Sequence, residues 1–171
     1  LRKAYWDGNW DIFAGQYFTE FGRLNSQHPH QWDYLDQPVI HTRLFGPDGL
    51  RGPGLRTAWF LPLPFFSELM GGLQNANGET MASFYASEEY YDERSIGGRQ
   101  FVAQDVRNPG DLLYSLRWHN SFDLGDDVTA LLGASALFGP NATGTAGRTR
   151  IYGADLRFKW RPAQNERGWP F

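Results

Sequence analysis

Asp155, Arg157, Lys159 and Arg161 alternate with Leu156, Phe158 and Trp160 near the end of the chain. In an extended strand successive side chains point to opposite faces, so the four charges share one face and the apolar residues take the other. Charges arranged this way must lie in water or pair with neighbours. Around a pore, such charges set ion selectivity. Arg56, Arg117 and His119 fall on the polar faces of their own segments and are expected to line the same lumen. The plainer reading is the solvated face of a soluble sheet, or internal salt bridges. Arg148 and Arg150 fall by parity on the apolar side, at a loop end where long side chains can snorkel.

The histidines are the candidate metal ligands. His28 and His30 are two apart and share one side of an extended segment. With His41 they make a possible zinc set, because neutral imidazole is a common zinc ligand. Asp33 and Asp36 could complete it. The spacing is not a standard zinc pattern, so a polar outer loop with incidental histidines is favoured. Glu88, Glu89, Asp92 and Glu93, with Tyr90 and Tyr91, form an acidic aromatic cluster. It could hold a cation or a sugar, or supply a carboxylate pair for glycoside hydrolysis. A solvated loop is favoured there too. The run Gly46-Pro47-Asp48-Gly49-Leu50-Arg51-Gly52-Pro53-Gly54 lacks the Lys-Ser/Thr of a phosphate loop. It reads as turn-rich, and it could fold inward to narrow a pore. No catalytic constellation stands out, and an enzyme is not expected.

These residues need strands to position them. Leu112, Tyr114, Leu116, Trp118, Phe122 and Leu124 keep a two-residue period broken only by Asn120. A turn at Asp123-Leu124-Gly125-Asp126-Asp127 follows. Val128 to Phe138 and Thr149 to Arg161 continue the alternation. The pattern predicts six antiparallel strands, over residues 10–22, 54–61, 65–75, 111–123, 128–138 and 149–161. Short turns alternate with long loops, the asymmetry of outer-membrane barrels. Strands near ten residues long suit a tilted bilayer crossing. Closed membrane barrels begin at about eight strands, and an open edge in lipid leaves backbone groups unsatisfied. Six strands therefore read as part of a larger barrel.

Composition bounds the alternatives. The 171 residues include no Cys, which removes disulfides, thiolate zinc sites and a cysteine nucleophile. The aromatic share of 16% is too high for a disordered chain. A net charge of -3 argues against a nucleic-acid partner. No apolar run reaches the length of a transmembrane helix. Mean hydropathy of -0.53 is compatible with a membrane barrel, whose alternating strands average to a hydrophilic value. These residues show no signal-peptide pattern and begin at Leu1, so the expectation is either that a leader has been removed or that this is an internal piece of a longer protein.

Several stretches together resemble a known group. They are Gly15-Gln16-Tyr17-Phe18-Thr19-Glu20-Phe21-Gly22-Arg23-Leu24-Asn25, Gln27-His28-Pro29-His30, Asp36-Gln37-Pro38 and Phe45-Gly46-Pro47-Asp48-Gly49-Leu50-Arg51. Gln74-Asn75-Ala76-Asn77-Gly78-Glu79-Thr80, Gly133-Ala134-Ser135-Ala136, Phe138-Gly139-Pro140-Asn141 and Lys159-Trp160 complete the set. The chain resembles bacterial outer-membrane β-barrel proteins, similar to porins, that carry the label zinc-regulated TonB-dependent outer-membrane protein. The resemblance runs from about Asp11 to Phe171. It implies an internal fragment of a longer barrel. A TonB-dependent receptor also carries a plug domain and a TonB box, and neither is visible in these residues.

The expectation is an all-β antiparallel meander forming part of a transmembrane β-barrel in the bacterial outer membrane. It would be a channel or receptor for small solutes. Its partners would be outer-membrane lipid, the remaining strands of the barrel and a second copy in a homo-oligomer. No cofactor is expected beyond the zinc candidate. The competing readings are a soluble β-sandwich carbohydrate-binding module and a structural β subunit of a larger assembly.

Overall fold

The computed structural model describes residues 2–6, 9–27, 36–91 and 98–161, with side chains from residue 9 onward. Seven strands follow in chain order: β1 Arg2–Trp6, β2 Trp10–Phe18, β3 Arg51–Phe60, β4 Phe66–Asn75, β5 Leu112–Asp123, β6 Val128–Pro140 and β7 Arg148–Trp160. Each pairs antiparallel with the next, giving one meander whose edges are β1 and β7. The sheet is open. The two-residue alternation produces this topology directly, because short turns between such strands favour antiparallel neighbours.

Three departures from the sequence expectation have local causes. Strand β1 was not expected. It spans five residues, too short to show a period of its own, and is defined by the hairpin that pairs Trp6 with Trp10. Strand β2 stops at Phe18, and the chain turns away through residues 19–27. Strand β3 starts at Arg51, so part of the Gly-rich run is strand rather than loop. Glycine is needed there: a Cβ at Gly54 would stand 2.8 Å from Gln74 Cα, and one at Gly52 would overlap the Met81 methyl.

Strand register sorts the side chains of β2–β7 into two faces. One face carries Trp10, Ile12, Leu55, Trp59, Leu69, Leu73, Tyr114, Leu116, Trp118, Leu132, Phe138, Tyr152, Leu156, Phe158 and Trp160. The other carries Asp11, Tyr17, Arg56, Glu68, Gln74, Ser115, Arg117, His119, Ser135, Asp155, Arg157 and Lys159.

The long loops fold back over the polar face at one end of the sheet. They contain helices α1 (Val39–Phe45) and α2 (Glu88–Tyr91) and a 3₁₀ turn at Pro109–Asp111. Phe45, Leu50, Ala76, Met81, Phe84 and Tyr85 from these loops pack with Leu113 of β5 and Leu137 of β6. The apolar core therefore lies between the loops and the polar face, not between two sheets. Asn25, buried at 1% exposure, pins the Gly-rich turn. Its Oδ1 accepts from Leu50 N–H at 2.8 Å, and its Nδ2 donates to the Thr19 and Leu50 carbonyls at 2.7 and 2.9 Å. The first part of the run, residues 46–50, turns over the polar face of the sheet. Gly46 (φ 77°) and Gly49 (φ 73°) supply the left-handed residues the turn requires.

Candidate functional site

The polar face is a connected network. Arg117, 7% exposed, donates Nη1 to Ser135 Oγ at 2.9 Å and to Asp155 Oδ2 at 2.9 Å, and Nη2 to Asp155 Oδ1 at 3.2 Å. Arg56 pairs with Glu20 at 2.5 Å, and its guanidinium lies 5.6 Å from the Phe13 ring centroid and 5.8 Å from that of Tyr17. His119 Nδ1 sits 3.5 Å from Glu68 Oε2, outside hydrogen-bond geometry. Gln74 crosses β3, donating to the carbonyls of Tyr17 at 2.9 Å and Gly52 at 3.1 Å while accepting from Thr19 Oγ1 at 2.6 Å. Tyr17 reaches the other way to the Leu55 carbonyl at 2.9 Å. Gln74 and Arg117 reach partners two strands away because glycines, Gly54 and Gly133, occupy the intervening positions.

The expected lumen residues thus share one face, but they do not form a free basic ladder. Arg56, Arg117 and Asp155 are engaged in pairs, and His119 lies beside Glu68. Arg157 and Lys159 are exposed on the polar face of β7, and Arg161 follows the strand, its backbone N–H bonded to the Asp127 carbonyl at 2.7 Å. Glu20, Glu68, Gln74 and Asn25 were missed from sequence. Glu68 was within reach of parity alone, since β4 places it opposite His119. Glu20 lies beyond β2, in a segment whose return onto Arg56 no period announces.

Of the metal candidates, His28 and His30 lie outside the described residues, as do Asp33, Asp92 and Glu93. Among the described residues no three His, Asp or Glu side chains are placed to share a metal. His41 is buried in α1 and stacks edge-on against Phe45 at 4.9 Å. Thr42 Oγ1 donates to Gln37 Oε1 at 2.9 Å, which turns the Gln37 amide NH₂ toward His41 Nδ1. With Nδ1 accepting, Nε2 carries the proton and is buried without a hydrogen-bond partner among the described residues. Burial pushes the His41 pKa below its ordinary value. Glu88 and Glu89 are exposed on α2, with Tyr91 packed on Phe101.

The apolar face is the open surface. Along β5, Tyr114, Leu116 and Trp118 are exposed while Leu113, Ser115 and Arg117 between them are buried. Strand β6 repeats this, with Leu132 and Phe138 exposed and Ser135 and Leu137 buried. Leu116 is 47% exposed and Arg117 beside it 7%. The Asn120 break is absorbed: Asn120 and its register partner Ser67 are both buried, and Trp118 Nε1 donates to Ser67 Oγ at 2.9 Å. A groove of about 610 Å³ runs beside β7, lined by Phe21, Ile40, Leu44, Ile151 and Leu156.

No protein-family model matches the chain, and no solved structure matches it. It is 33% identical over 165 residues to an uncharacterized protein of Aquifex aeolicus (strain VF5), an alignment covering 87% of this chain and 31% of that protein. The chain spans about a third of the length of that relative. No helix among the described residues is long and apolar enough to cross a membrane, which says nothing of a β-barrel.

Proposed function

We propose that this chain is a section of an outer-membrane β-barrel channel or receptor that passes small solutes by diffusion. The observation that carries the reading is the inverted exposure of the sheet: large apolar side chains crowd the open face, and ion-paired polar side chains lie on the face the loops cover. Water as the surrounding solvent favours the reverse. Lipid outside and a polar lumen inside favour this arrangement. A soluble sandwich would cover the apolar face with a second sheet, and the described residues form a single sheet. Selectivity would come from Arg157, Lys159 and the loops folded over the inner face. The open edges of β1 and β7 would pair with the barrel's remaining strands, since lipid leaves no other partner for their backbone groups.

The test is fractionation of the natural full-length protein, with detergent extracts run unboiled and boiled on SDS gels. Outer-membrane location and a mobility shift on boiling are expected. A soluble protein with no shift would end the barrel reading.

A further inference from the structure

The apolar face of β2–β7 holds neither Asp, Glu nor Lys. Its charges are three arginines, Arg51, Arg148 and Arg150, and all lie at the long-loop end. Random surface charge would mix signs and ends. Arg51 is stacked 5.6 Å from the Phe18 ring. Arg148 and Arg150 are exposed, one strand period apart, on the side that points away from the polar network.

An aromatic belt begins level with Arg150: Phe138 is its register partner, Tyr114 is that of Phe138, and Tyr152 lies one step further in. Tyr114, Phe138 and Tyr152 are exposed on adjacent strands, and Phe138 meets Tyr152 edge-on at 5.7 Å. At the opposite end Trp160 closes β7, and Trp10 stacks on Trp59 at 5.3 Å. From Arg150 to Trp160 the strand runs about 33 Å, about 25 Å of height at a tilt of about 40°, which matches the apolar band of an outer-membrane barrel. Arg150 and Arg148 therefore stand at the edge of the hydrocarbon, in the headgroup layer of the leaflet that faces the long loops.

A shallow cleft of about 360 Å³ joins them, lined by Gly110, Tyr114, Phe138, Gly139, Arg148 and Arg150. Arg148 Nη1 donates to the Gly110 carbonyl at 2.5 Å, which fixes its direction. Among the described residues no carboxylate pairs with either arginine. Asp111, at the same corner, spends Oδ2 on the backbone N–H groups of Arg107 and Asn108 at 3.2 Å each and on Asn108 Nδ2 at 2.6 Å.

We infer that Arg148 and Arg150 form a binding site for the phosphate-bearing headgroup of an outer-leaflet lipid. Guanidinium groups bind phosphate through paired, charge-assisted hydrogen bonds. The belt of Tyr114, Phe138 and Tyr152 receives the start of the acyl chains. The site rests on the barrel reading for its membrane, but not for its chemistry.

The test uses the natural full-length protein in detergent, titrated with diphosphoryl lipid A and followed by native mass spectrometry. Retained lipid is expected, with dephosphorylated lipid A binding about tenfold more weakly or less. Arg148→Gln with Arg150→Gln should produce the same loss, while Arg99→Gln, which removes a loop cation elsewhere, should not. The boiling shift of each variant is checked first. Normal shifts with equal binding of the two lipids, or with no effect of the double variant, would overturn the site and leave the barrel standing. Absence of a shift in the unaltered protein would overturn the barrel, and the site with it.

Discussion

Arg117 on β5 and Asp155 on β7 meet across β6 at Gly133, the register partner of Asp155. A methyl group at Gly133 would stand 2.4 Å from Asp155 Oδ2. The missing side chain is what lets a guanidinium and a carboxylate two strands apart form a two-pronged pair. Ser135, opposite Arg117 in the register, holds the guanidinium from below.

Removing the carboxylate should leave a buried guanidinium with only Ser135. Asp155→Ala is expected to cost about 2 kcal/mol, at the lower end for breaking such pairs because Asp155 is partly solvated. Gly133→Ala should cost a similar amount by displacing the carboxylate. Arg117→Met with Asp155→Leu should recover most of the loss. Urea midpoints in detergent, at unchanged slope, measure all three. A silent Gly133→Ala variant would contradict the role given to the bare backbone.

Arg157 and Lys159 are the exposed cations of the polar face. Arg157→Glu with Lys159→Glu should move ion selectivity toward cations, because charges along a lumen bias the passing ion. Reversal potentials in planar bilayers under a KCl gradient report this. An unchanged potential would remove both residues from the lumen.

Asn25→Ala should release the inward fold of the Gly-rich turn. Leu50 N–H would lose its acceptor while buried, a cost of about 2 kcal/mol. Faster proteolysis of the loops and a larger single-channel conductance are expected. Equal conductance would mean that these loops do not narrow the path.

His41 gives the loops a pH dependence of known sign. Burial lowers its pKa in the folded state. The unfolded segment takes up a proton near pH 6.5, where the folded one does not yet. The unfolded state then binds more protons, and stability falls as pH drops below about 6.5. Amide protection over Val39–Phe45 should fall between about pH 7.5 and about pH 5, and His41→Gln should flatten the dependence. Protection independent of pH in the unaltered protein would contradict this.

Six strands were legible in the sequence: the last three carry a clear two-residue period, and the first three follow from partial alternation and the turn residues between them. The tight turn at Asp123–Asp127 also announces itself, with Gly125 at φ 108°. What the period could not show is non-local. The short β1 exists through its partner, and the return of Glu20 to Arg56 depends on how residues 19–27 fold. Parity put Arg117 and Asp155 on one face, but their pairing needed the register through Gly133. The charges were visible; their neutralisation was not. Likewise His41 was weighed as a zinc candidate beside His28 and His30, with an incidental histidine favoured, and its contacts with Gln37 and Phe45 depend on the packing of α1, which no spacing announces.

The central claim is that the apolar face meets lipid. Spin labels at Leu116, Leu132 and Leu156, against labels at Ser135 and Arg157, test it in the reconstituted full-length protein. Collision with oxygen, which partitions into lipid, is compared with collision with a water-soluble nickel chelate. The account predicts that the first three labels favour oxygen and the last two do not, in step with the strand period. Labels at Leu116, Leu132 and Leu156 that meet the chelate as readily as Arg157 does would contradict it.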